Sequence, residues 1–132
     1  MNAKAKKLSN LLAPVSVGEL IDKITILEIK KVHMTGKKLE NVNKELELLR
    51  NILEDRNLEI DINLVNSLQK VNSSLWEIED NIRQKECTQK FDKEFIQLAR
   101  SVYKENDKRF SIKKEINQKY NSEIIEEKSY KQ

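Results

Sequence analysis

The chain has 132 residues, a length that fits one domain built around one hydrophobic core. It contains 2 Gly and 1 Pro, so it lacks the turn residues that a sandwich or barrel of many short strands requires. Charged residues make up 36% of the chain and hydrophobic residues 38%, which suits helices that each keep a broad solvated face. The net charge of +3 is spread through segments of mixed sign, which gives little electrostatic reason to propose nucleic acid as a partner.

The sequence also indicates where in the cell the protein is located. Cys87 is the single cysteine, so no intrachain disulfide can form, and this fits a reducing environment. The apolar stretch near the N-terminus is interrupted by Ser9, Asn10 and Pro14, which makes it a poor signal peptide. No apolar run approaches the length of a membrane span. We therefore expect a cytoplasmic protein with no membrane partner.

The N-terminal part divides into an arm and the start of the folded domain. The sequence predicts a flexible basic arm over residues 1–13 and a single helical domain over residues 14–132. Ser16 is followed three residues later by Glu19, the pattern of a capping box in which both side chains satisfy backbone N–H groups. The first helix is therefore predicted to begin at Val17.

Three further helices are predicted from apolar residues that recur at three- and four-residue intervals. Their predicted ranges are 38–55, 62–87 and 92–120. The last of them is unusual, because Asn106 and Arg109 interrupt its apolar stripe where core residues are expected. The final segment, 122–130, is compatible with either a short helix or an extended tail that packs on the bundle. The predicted fold is all-α: an antiparallel bundle of about four helices with a short C-terminal segment.

Four segments carry a resemblance to a known family. They are PVSVGELIDKITILEIK from residue 14, LWEIEDNIR from residue 75, FIQLARSVYKENDKRFSIKKEIN from residue 95 and EEKSY from residue 126. Together they resemble a family of small uncharacterised bacterial and phage helical proteins, over nearly the whole chain beyond the N-terminal arm. The resemblance implies a domain of unknown function and brings no activity, substrate or cofactor with it.

Candidate site residues are chosen by their height along the bundle axis. A rise of ~1.5 Å per residue gives these heights if the helix ends are flush. One level would hold a polar layer, and the next would hold a cluster of an aromatic ring, carboxylates and arginines. The ligand-binding candidates are Glu28, Asn72, Trp76, Glu77, Asp80, Arg83, Arg100, Tyr103, Asn106 and Arg109. The same groups could instead form a salt-bridge network that fixes helix register, which is the reading we favour.

Paired carboxylates raise the question of a metal. Glu19 with Asp22, and Glu77 with Asp80, have the three-residue spacing that holds magnesium in all-helical nucleotide pyrophosphohydrolases. With flush helix ends the two pairs would lie about 20 Å apart, too far to share one ion. We therefore predict neither a metal site nor a cofactor, and we interpret the pairs as solvated helix faces.

The sequence favours a noncatalytic helical module that binds a protein partner or a small polar ligand and self-associates, because the apolar stripe of the first helix is wider than a four-helix core requires. One alternative is a metal-dependent enzyme that acts on a charged small molecule, such as a nucleotide or sugar phosphate. It would use Glu77, Asp80, Arg100 and Arg109. A second alternative is nucleic-acid binding through the basic arm.

Overall fold

The computed structural model describes residues 8–130, in which four α-helices are joined by short connections and no strand occurs. The helices are α1 (Val17–His33), α2 (Gly36–Asp55), α3 (Ile62–Cys87) and α4 (Lys93–Lys119). The predicted all-α fold is confirmed, and the predicted helix bounds differ from these by no more than two residues. None of the four helices combines the length and apolar character needed to cross a membrane.

Both ends of the described chain lack helix. Residues 8–15 carry Leu8, Leu11 and Leu12 exposed to solvent, and the rest of the predicted arm, residues 1–7, lies outside the described residues. The C-terminal segment, residues 122–130, is also nonhelical, so the extended alternative is the correct one. It packs back onto the bundle, because the Ser122 hydroxyl accepts a hydrogen bond from the first backbone N–H of α1 at 3.1 Å.

Side-chain caps begin three of the helices. The Ser16 hydroxyl accepts a hydrogen bond from the backbone N–H of Glu19 at 3.0 Å, as the capping pattern predicts, whereas the Glu19 carboxylate bonds Lys113 instead of completing the capping box. Asp61 and Asp92 cap α3 and α4 in the same way. These caps satisfy N–H groups that would otherwise have no partner, and they explain why the helices begin where they do.

Helix α1 occupies the centre of the fold. It packs against α2, α3 and α4, whereas α2 approaches no helix other than α1. Its residues Leu20, Ile21, Ile24 and Leu27 are buried in one core with side chains from all three neighbours. Contacts with three helices of the same chain therefore bury the wide apolar stripe of α1. The width of this stripe is thus no evidence for self-association.

The α3–α4 pair extends beyond α1, because these helices have 26 and 27 residues and α1 has 17. None of the residues from 73 to 112 is fully buried. We call residues 77–104, which include the connection between the two helices, the distal hairpin. Every hydrogen bond and ion pair described for its side chains stays within the hairpin.

A glycine allows α1 to approach α4 closely. A Cβ atom placed on Gly18 would lie 2.6 Å from the carbonyl oxygen of Lys113 and 2.9 Å from the side-chain oxygen of Asn117. The same Asn117 oxygen accepts a hydrogen bond from the Gly18 N–H at 2.6 Å. The backbones of α1 and α4 are therefore in contact here, and no side chain fits between them.

We predict that Gly18→Ala destabilises the protein by about 1–3 kcal/mol, because the added methyl group must push the α4 backbone away from α1. Urea unfolding followed by circular dichroism measures the change. Gly36→Ala is the comparison: Gly36 has a φ of 62° but no atom within 4 Å of an added Cβ, so only backbone strain of about 1 kcal/mol is expected there. An unchanged stability in Gly18→Ala would contradict the close approach.

Candidate functional site

A buried carboxylate lies at the centre of the polar groups in the bundle. Asp22, in the second turn of α1, has 0% of its surface exposed. Arg109 of α4 donates hydrogen bonds to both of its oxygens, from Nε at 2.9 Å and from Nη2 at 2.5 Å. Asn72 of α3 donates a third at 2.9 Å. Asp22 therefore joins α1 to α3 and α4 at one point.

The groups around Asp22 satisfy one another. The Asn72 amide also donates to the Thr25 hydroxyl at 2.9 Å, and Thr25 donates to the backbone carbonyl of Asp22 at 2.8 Å. The hydrogen bond to Asp22 holds the pKa of the Arg109 guanidinium above its ordinary value. Arg109 also approaches Asn106, whose side-chain oxygen lies 3.5 Å from Nη1. The interruption of the α4 stripe is thus the point at which α4 binds the buried carboxylate.

Lys113, one turn further along α4, extends the network to the C-terminal segment. Its Nζ donates to Glu19 at 2.6 Å and to Glu126 at 2.9 Å, and it lies 3.8 Å from Asp22. Burial acts to lower the pKa of Lys113, but the hydrogen bonds to the two glutamates, together with the negative charges of Asp22 and Glu19, raise the pKa overall. We refer to Asp22, Asn72, Arg109 and Lys113 together as the Asp22 cluster.

An open cleft of about 430 Å³ adjoins the cluster between α1, α3 and α4. Its wall combines apolar, aromatic and charged side chains. The lining residues are Ile26, Ile29, Asn72, Leu75, Trp76, Glu79, Asp80, Arg83 and Arg109. Arg109 and Asn72 belong to both the cluster and the cleft, so the cleft wall is positioned by the buried carboxylate.

Trp76 has an unsatisfied polar group in this wall. Its indole Nε1 is buried, and none of the described residues accepts a hydrogen bond from it. One ring face is covered by His33, the last residue of α1, with ring centroids 4.8 Å apart and planes at 19°. A buried N–H without an acceptor costs about 1–3 kcal/mol. The Nε1 atom has no contact with solvent, so a ligand in the open cleft does not reach it in this conformation.

A second, more polar depression of about 200 Å³ lies on the other side of Arg109. Asn106, Phe110 and Lys113 form its α4 side, and Glu126 and Lys128 of the C-terminal segment form its edge. The Lys128 ammonium lies 5.1 Å from the centre of the Phe110 ring. The basic and acidic groups of this depression are largely paired with each other. The pair between Lys113 and Glu126 holds the C-terminal segment against α4.

The structure brings together part of the predicted site. Asn72, Trp76, Asp80, Arg83 and Arg109 line the cleft, and Asn106 adjoins it through Arg109. The other four candidates do not line the cleft: Glu28, Glu77, Arg100 and Tyr103.

Glu28 forms an ion pair with Arg50 of α2, so the predicted polar layer of Glu28 with Asn72 is wrong. Glu77, Arg100 and Tyr103 are exposed on the distal hairpin. The physical reason is that the helix ends are not flush, since α3 and α4 are longer than α1.

Sequence reasoning did not assign Asp22 to the cluster. Its spacing from Glu19 indicated a solvated acidic pair or a metal site, whereas both carboxylates bond basic side chains of α4. Among residues 8–130, no three His, Cys, Asp or Glu side chains meet in a way that could hold a metal ion. The available signal was the position of Asp22 between Leu20, Ile21 and Ile24, which lie on the most apolar helix of the chain.

The fold and the site define an all-helical bundle protein with a buried ion-pair cluster and an adjoining amphipathic cleft. The chain belongs to a family of unknown function (DUF6165), whose sequence profile matches residues 11–132. Neither the curated proteins nor the solved structures contain a match.

We predict that Asn72→Leu destabilises the protein by about 1–3 kcal/mol, because it removes a hydrogen bond to a buried carboxylate without opening a cavity. Urea unfolding measures the loss. The control is Ser73→Ala, which changes the neighbouring half-buried residue and removes none of the described hydrogen bonds. Equal stabilities for the two variants would show that Asn72 contributes nothing to the Asp22 cluster.

Proposed function

We propose that this protein is a noncatalytic module that binds a small polar ligand in the cleft between α1, α3 and α4. The observation that carries the proposal is the open cleft itself, whose wall combines the ring of Trp76 with the guanidinium of Arg109, which Asp22 holds in place. The volume of about 430 Å³ lies within the usual size of small-molecule pockets.

The composition of the wall indicates the chemistry of the ligand. Arg83 and Arg109 offer hydrogen-bond donors that carry positive charge. Glu79 and Asp80 of α3 offer carboxylate acceptors in the same wall. Apolar contact is available on α1 and α3 from isoleucine and leucine side chains. A ligand that carries an anionic group, a donor such as an amine or hydroxyl, and an apolar portion fits this arrangement.

The state of Asp22 and Arg109 supports a binding role for these two residues over a catalytic one. A general base needs a free lone pair within hydrogen-bond reach of its substrate. Both oxygens of Asp22 accept hydrogen bonds from Arg109, which in turn is held in one orientation. The enzyme alternative required Glu77 and Arg100 to act beside Asp80, and neither of these two residues lines the cleft.

The proposal predicts that a ligand changes the fluorescence of Trp76, the single tryptophan of the chain, and raises the melting temperature. The probes are amino acids, nucleotides and sugar phosphates, each tested with and without Mg²⁺. For a probe that binds, Trp76→Phe should weaken affinity about 5-fold in calorimetry, since the smaller ring loses apolar contact with the ligand of about 1 kcal/mol. Arg100→Ala, outside the cleft, should leave affinity unchanged.

Two outcomes would contradict the proposal. If Trp76→Phe and Arg100→Ala affect binding equally, the ligand does not occupy the cleft. If a probe is converted to a product during the titration, the protein is an enzyme rather than a noncatalytic module.

A further inference from the structure

One face of α4 continues from the folded core onto the distal hairpin. Its residues follow one another at alternating intervals of three and four, the spacing of a single helix face. They are Ile96, Ala99, Tyr103, Asn106, Phe110, Lys113 and Asn117. The C-terminal half of this face is polar apart from Phe110, and the N-terminal half is apolar.

The C-terminal half of the face is covered within the chain. Asn117 and Lys113 contact Gly18 and Glu19 at the start of α1. Phe110 lies beneath Lys128 of the C-terminal segment. Here α1 and the C-terminal segment form a third layer over the α3–α4 pair.

The N-terminal half of the face lacks such a layer. Ile96 is 54% exposed and Tyr103 is 55% exposed, with exposed Ala99 between them. The inner seam of the distal hairpin is also incompletely covered, because Ile82 of α3 and Val102 of α4 remain half-buried. A two-helix hairpin cannot enclose a core by itself, and apolar seams of this kind are buried when further helices complete a bundle.

We propose that the distal hairpin docks on the distal hairpin of a second copy of this chain, which completes a four-helix bundle about a two-fold axis. The charges favour a second copy as the occupant. The α3 part, residues 77–87, has four acidic and two basic side chains, and the α4 part, residues 93–104, has three basic and one acidic. A two-fold axis that places α3 of each copy against α4 of the other forms the same favourable contact twice.

The small side chain at the middle of the apolar face suits this packing. Ala99 separates Ile96 from Tyr103, so two helices can approach at its position while the larger side chains pack on either side. None of these three α4 residues lines the cleft, whereas the α3 part of the distal hairpin includes Glu79, Asp80 and Arg83 of the cleft wall. The docking proposal and the ligand-binding proposal nevertheless have separate tests, because the substitutions that test them alter different surfaces.

Sedimentation equilibrium of the full chain under reducing conditions tests the proposal; the reductant prevents disulfide crosslinking through exposed Cys87. The expected result is a monomer–dimer equilibrium that Ile96→Glu weakens about 100-fold or more, because each dimer buries two introduced charges. Ile62→Glu is the matched control: it replaces an exposed isoleucine of α3 outside the distal hairpin and should leave the equilibrium unchanged.

Folding of each variant is checked by its helix content and melting temperature, which should match the wild type because both isoleucines are exposed. A wild-type protein that stays monomeric at high micromolar concentration would overturn the proposal. So would a dimer that Ile96→Glu leaves intact, or one that both variants weaken equally.

Discussion

The burial of the Asp22 carboxylate in α1 is the constraint on which the arrangement of the other helices depends. Removing a carboxylate from water costs several kcal/mol unless charged partners and hydrogen bonds replace the lost solvation. Arg109 supplies two hydrogen bonds and the opposite charge, and Asn72 supplies a third hydrogen bond. Because these partners lie on α4 and α3, their positions along both helices are determined relative to α1. A slip of one turn in either helix would leave the charge unpaired.

The remaining features follow from this alignment of helices of unequal length. With α1 held near the C-terminal end of α4, its own C-terminus reaches only as far as Trp76 on α3. The cleft lies beside this end of α1, and the distal hairpin continues past it. The cleft wall shares Asn72 and Arg109 with the cluster, which preorganises the wall before any ligand arrives. The close contact at Gly18 secures the opposite end of α1 against α4.

Local sequence signals were sufficient for the helices but insufficient for the cluster. The Ser16 cap and the three-and-four spacing of apolar residues predicted the helix bounds, because both depend on interactions within a few residues of one another. Arg109 was found because it interrupts an apolar stripe. Its partner Asp22 was missed, since pairing across 87 positions depends on how far each helix slides along its neighbour. That offset depends on tertiary packing, which local sequence patterns do not report. The assumption of flush helix ends placed Glu28 at the level that Asp22 occupies.

A double-mutant cycle between Asp22→Asn and Arg109→Gln in urea unfolding measures the central interaction most directly. Each single substitution should cost about 3–5 kcal/mol, since each leaves one buried or half-buried charge without its partner. The double variant should lose much less unfolding free energy than the sum of the two single losses, and the difference is a coupling energy of about 2 kcal/mol or more. Losses that add to within about 0.5 kcal/mol would mean that Asp22 and Arg109 act independently, and that the alignment of the helices has another origin.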